Sequence, residues 1–146
     1  MEQPRQNDKK VSAKDIAGIN YTEYALSDTA ENVTKDWLKF HELANQIELL
    51  KGGDLSFFKD DITLLNGFVN DMTSEIPEQL NEPSIIVRLV ALKTTMYKLE
   101  GSANLERETK EALLRSIEDV LIAHTNLIFQ INKKLEKDAQ NITKPQ

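Results

Sequence analysis

Between Val120 and Asn132 the chain reads Val-Leu-Ile-Ala-His-Thr-Asn-Leu-Ile-Phe-Gln-Ile-Asn, with no charged side chain. Two apolar rows run through it in steps of four and three. One is Leu113, Ile117, Val120, His124, Leu127, Ile131, and the other is Leu114, Ile117, Leu121, His124, Ile128, Ile131, Leu135. They share Ile117, His124 and Ile131, so the spacing predicts an α-helix with a broad apolar face centred on those three positions. The run is too short for a membrane span, which needs about 18 or more apolar residues.

The same stepping occurs three more times. Leu26, Ala30, Val33, Trp37, Phe40, Ala44 and Ile47 form a row that Gly52-Gly53 should stop, with Asp28 and Glu31 at capping-box spacing near its start. Leu55, Phe58, Ile62, Leu65, Val69, Met72 and Ile76 follow, with Asp54 as a cap, Pro77 as the stop and Gly67 read as the mark of a close helix approach. Ile85, Leu89, Leu92, Met96 and Leu99 make the third row, with Asn81 as a cap and Gly101 as the expected stop. Ser102 or Asn104 should then start the last helix.

These rows predict an all-α fold: an antiparallel up-down-up-down four-helix bundle with long first and fourth helices over about 22–51, 55–76, 83–100 and 103–138. The N-terminal segment, residues 1–20, reads as a partly flexible polar tail or tether and covering segment. Residues 21–140 read as the bundle and 141–146 as a frayed end. Trp37, Phe40, Ile62, Leu65, Leu89, Leu92, Ile117 and His124 are the expected core. A first helix from Thr22 to Lys51 would be about 45 Å long and the middle helices shorter. The uncharged half of the last helix should therefore overhang them, leaving Ile122 and Phe129 to be covered by Ile16 to Tyr24 or by another molecule.

Composition narrows the chemistry. The chain has no cysteine, which removes disulfides, thiolate catalysis and cysteine-ligated zinc. Its net charge of -6 argues against a duplex nucleic-acid binder, so no nucleic acid is expected as a partner. Residues 16–82 carry -9, against +1 for residues 1–15 and +2 for residues 83–146, which makes one half of the chain acidic. No transmembrane run and no signal-peptide core is present. The polar start ahead of a folded domain suits the mature part of an exported envelope protein, tethered to a membrane through a removed leader, somewhat better than a cytoplasmic one.

Candidate reactive groups are few. His124 sits at the centre of the widest apolar face, where a histidine with a shifted pKa is a base, a ligand or a pH switch, or simply a neutral core residue. His41 lies at the edge of the first row. A di-iron bundle needs a carboxylate three residues before the histidine, and here those positions hold Leu38 and Leu121. Asp60, Asp61, Asp71 and Glu75 fall opposite the core row and read as a solvated face. No phosphate loop, nucleophile elbow or zinc motif occurs, so no catalytic residue, cofactor or metal ligand is assigned. The expected function is a non-enzymatic helical module that binds another protein or a second copy through the apolar surface of the last helix. The alternative is a small-ligand or metal-responsive bundle centred on His124 and the tyrosines. The interaction or pocket residues expected are Tyr21, Tyr24, Ile122, His124 and Phe129.

Overall fold

The computed structural model describes residues 11–143, so the tail expected at residues 1–10 and the final three residues lie outside the described residues. All regular structure in that range is helical: α1 Ala13–Ala17, α2 Asp28–Thr34, α3 Leu38–Lys51, α4 Ser56–Lys59, α5 Ile62–Ser74, α6 Pro83–Asn104 and α7 Lys110–Thr143, with one 3-10 turn at Glu78–Leu80. One buried cluster runs from Val11 to Leu135 and draws on every helix.

The first expected helix is broken in two, and its start moves from Thr22 to Asp28. Ser27, not Asp28, caps α2 by accepting the Ala30 N–H. The break follows from Trp37. Its ring is buried and stacked on Phe40 at 4.6 Å, and its indole N–H donates to the Met72 carbonyl at 2.8 Å. A buried indole needs such a partner, and a straight helix would not aim it there. The end of α2 is tied off by His41, whose Nε2–H donates to the Thr34 carbonyl at 2.9 Å. His41 is thus a structural side chain. Gly53, at φ 93°, carries the chain out of α3 as the glycine pair predicts.

The second expected helix also breaks, at Asp60-Asp61. Asp60 is extended, and the Asp61 carboxylate caps α5 by accepting the Thr63 N–H at 3.0 Å. The new start rotates Ile62 off the core row and leaves it 41% exposed, which corrects its assignment to the core. Trp37, Phe40, Leu65, Leu89, Leu92, Ile117 and His124 are buried as expected. Gly67 has nothing within 4 Å of where a Cβ would sit, so no close helix approach explains it. The cap of α6 is Glu82 and not Asn81, without a side-chain hydrogen bond.

Gly101 does not stop α6, which continues to Asn104, where the Asn104 amide donates to the Phe58 and Glu100 carbonyls. The last helix accordingly starts at Lys110, with Thr109 accepting the Ala112 N–H, instead of near residue 103. It runs on through Asn141–Thr143, where fraying was expected. Helices α6 and α7 form an antiparallel hairpin. Lys98 pairs with Asp119 near the connecting turn, and Glu82 pairs with Lys134 at the far end. On that register Val120 lies level with Tyr97 and Asn132 with Ile85. The uncharged half of α7 is therefore flanked by α6 along its whole length, and the expected overhang is absent. Only residues beyond Lys134 project past the start of α6.

Leu92 and Leu65 are buried, so truncating either to Ala should cost about 2–5 kcal/mol in urea unfolding, whereas Ile62→Ala should cost under about 1 kcal/mol. Gly67→Ala should stabilise the protein by about 0.5–1 kcal/mol, since the site is open and helical. A loss of stability on that change would point to a close neighbour at Gly67 after all.

Candidate functional site

The residues expected to form one site fall on two faces of α7. Ile122 and His124 are two positions apart, about 200° around the helix, so they cannot share a face. His124 and Leu121 point to the inner side, under the N-terminal segment and α3. Ile122 points to the outer side, along the seam with α6.

On the inner side, residues 19–27 cross α7 as an extended strap. The Tyr24 N–H donates to Thr125 Oγ1 at 2.6 Å. The Asn132 amide closes a two-way tie, accepting the Ser27 N–H at 3.0 Å and donating to the Ala25 carbonyl at 2.9 Å. Glu23 on the strap takes the Lys51 ammonium at 2.7 Å, and Glu48 shares it at 3.3 Å. Upstream, α1 is fixed by a capping box between Ser12 and Asp15, and Ile16 is buried in the core. Residues 16–24 thus lie over Leu121, His124 and Thr125, and not over Ile122 and Phe129, which they were expected to cover. Neither Thr125 nor Asn132 stands out in the sequence as a partner of the strap, because no local spacing links residues about a hundred positions apart.

A cleft of about 340 Å³ opens between strap and helix, lined by Ile16, Ile19, Tyr21, Glu23, Lys51 and Leu121. Tyr21 is half-buried there, and burial, with the Glu23 carboxylate beside it, pushes its hydroxyl pKa up. His124 lies deeper, 9% exposed, with the Phe40 ring centroid 6.3 Å away. Its Nε2 is buried with no hydrogen-bond partner among the described residues. Burial pushes the imidazole down from 6.5 to about 4; Glu23 and Glu48 pull it up and Lys51 pushes it further down. At neutral pH His124 is therefore uncharged. Among the described residues no group of three or more His, Asp and Glu side chains could hold a metal ion.

On the outer side, Ile122 is half-buried in a shallow groove of about 210 Å³, which it lines with Arg88, Ala91, Thr95, Asp119, Ala123 and Asn126. Phe129 lies on the same stripe and is 38% exposed, with the Tyr24 ring 4.8 Å from its own. The strap thus reaches Phe129 without covering it. The neighbouring face of α6 was not anticipated. Val87 is 63% and Val90 48% exposed, and Pro83, Ala91, Thr94 and Gly101 share that exposed side. The signal was present as a second row, Pro83, Val87, Val90, Thr94, Lys98, Gly101, apolar in its first half only and hidden by the stronger row facing inward.

Comparison of the chain with protein-family models, with curated proteins and with solved structures finds no match. No helix among the described residues is long and apolar enough to cross a membrane.

Two outcomes test the inner side. Unfolded chains take up the His124 proton near the ordinary 6.5, whereas the folded protein resists it down to about 4, so acidification favours unfolding across that window. The His124 contribution present above pH 6.5 should be lost progressively toward pH 4, on the order of 3 kcal/mol in all. Urea midpoints measured against pH should show this fall, and His124→Leu should flatten it. Separately, Asn132→Ala should speed amide exchange at Ser27 and Tyr24 while leaving the α7 amides between Ile117 and Leu127 protected. Unchanged exchange at Ser27 would show that the tie does not hold the strap.

Proposed function

We propose that this chain is a non-enzymatic helical-bundle module, its helices arranged as four antiparallel layers, that docks another protein along the outer face of α6 and α7. The observation that carries the reading is that α6 is apolar on two opposite sides. Inward it buries Ile85, Leu89, Leu92, Met96 and Leu99, and outward it exposes Val87, Val90 and Ala91. A helix apolar on both sides is normally buried on both sides. The register of the hairpin places Val87 level with Phe129, so the apolar strip continues across the seam onto α7. Leu38 and Leu64 are exposed as well, and a single exposed apolar side chain is ordinary surface.

A photoreactive benzophenone side chain placed at position 87 or 122 should give a discrete covalent adduct in the cells that make the protein, and one at position 64 should give none. Val90→Glu should abolish the adduct without lowering the melting temperature, because Val90 is exposed. Adducts equally frequent from all three positions, or none from 87 and 122, would sink the reading.

The cleft beside Tyr21 carries a second reading, in which Tyr21, Glu23 and Lys51 hold a small amphipathic ligand above the buried His124. Such a ligand would raise the melting temperature of the native chain and lose that effect in Tyr21→Ala.

A further inference from the structure

We infer that the molecule docked on the α6–α7 face is a second copy of this chain, related by a two-fold axis that lies across α6 between Ala91 and Thr94; the inference rests on reading that face as the docking surface. A two-fold at that place makes the two α6 helices antiparallel and the apolar row self-complementary. Val90 then lies beside Thr94 of the second copy, Val87 beside the aliphatic stem of its Lys98, and Pro83 beside its Gly101. An isologous contact requires this kind of match, since each residue must suit its own row read in reverse. Ala91 near the axis and Gly101 near the end are small enough to let the backbones approach.

The charges at the edge of the row fix the same arrangement. Arg88 and Asp119 both line the groove, and the hairpin register sets them toward opposite ends of it, Asp119 toward the Thr95 end and Arg88 toward the Asn126 end. Reversing the groove about the axis carries Asp119 of the second copy to the end where Arg88 stands. Two Arg88–Asp119 pairs form, one on each side of the axis. Among the described residues Asp119 has only a loose contact with Lys98, 3.9 Å apart and exposed, so its carboxylate retains capacity for a guanidinium. Turning the second copy the other way, with α6 on α7, sets Arg88 against Asn126 and leaves Asp119 facing Thr95. The charges thus select one of the two face-to-face arrangements. Pairs of this kind at an interface rim set orientation and partner choice more than affinity.

Sedimentation of the full chain over a concentration series tests this. The wild type should show a reversible monomer–dimer equilibrium. Arg88→Asp and Asp119→Arg should each weaken it about tenfold or more, and the doubly reversed chain should recover most of that loss. Circular dichroism and melting of each variant establish that the exposed substitutions leave the monomer folded. A chain that stays monomeric up to about 1 mM overturns the inference, as does a dimer indifferent to both reversals. The adduct formed from position 87 separates the two readings. A mass of twice the chain supports the second copy. A different added mass overturns the second copy while leaving the docking face intact, and no adduct overturns both.

Discussion

The stretch of α7 without charge, Val120 to Asn132, is the constraint on which the rest of the molecule depends. Val120, Leu121, Ala123, His124, Thr125, Leu127, Ile128 and Ile131 are all buried, spread over well more than half of the helix circumference. A single neighbouring helix covers only one stripe. Burying each large side chain contributes about 1.5–3 kcal/mol, so several elements are held to this helix: α6 along the seam, α3 through Phe40 above His124, and α1 and α2 with the strap between them across Leu121 and Thr125. The side left over, around Ile122 and Phe129, is the side that faces outward.

Polar groups decide where each of those elements stops. Trp37 must satisfy its indole N–H inside the core, and the helix breaks beside it to reach Met72. The strap crosses an apolar helix yet brings backbone groups with it, and Thr125 and Asn132 are the side chains on α7 that satisfy them. His124 is the exception. Its Nε2 is buried unpaired, which is tolerable for a neutral imidazole at a cost of about 1–3 kcal/mol and worse once it is charged.

The apolar rows were legible because burial in a helix imposes their spacing. That held for α7, for α6 and for the core of α5, and it placed the turn at Gly52-Gly53. What the rows could not carry was the continuity of each helix. Ser27 delays the start of the first row's helix and Asp61 restarts the second, turning Ile62 off it, while Gly101 looks like a stop and is passed over. The resulting error of several residues at the α6–α7 turn slid the hairpin register, and with it the position of the uncharged half of α7. Of the five residues expected at the site, Tyr24 and Phe129 do meet, and Tyr21 and His124 lie on the same inner side. Ile122 stands opposite, as helical geometry alone required.

The strap has a consequence for how the molecule comes into being. Its bonds to Thr125 and Asn132 span 101 to 107 residues, and α6, which also touches α4 and α5, has its main packing partner in α7. Contacts so distant in sequence form late, after the intervening chain has collapsed. During synthesis α1 to α6 leave the ribosome before α7 exists, so the surfaces that pack on α7, the Phe40 ring over His124 among them, stay wet until the final helix emerges. Over that interval the nascent chain presents more apolar surface than the finished protein ever does, and the segment made first is among the last to find its place.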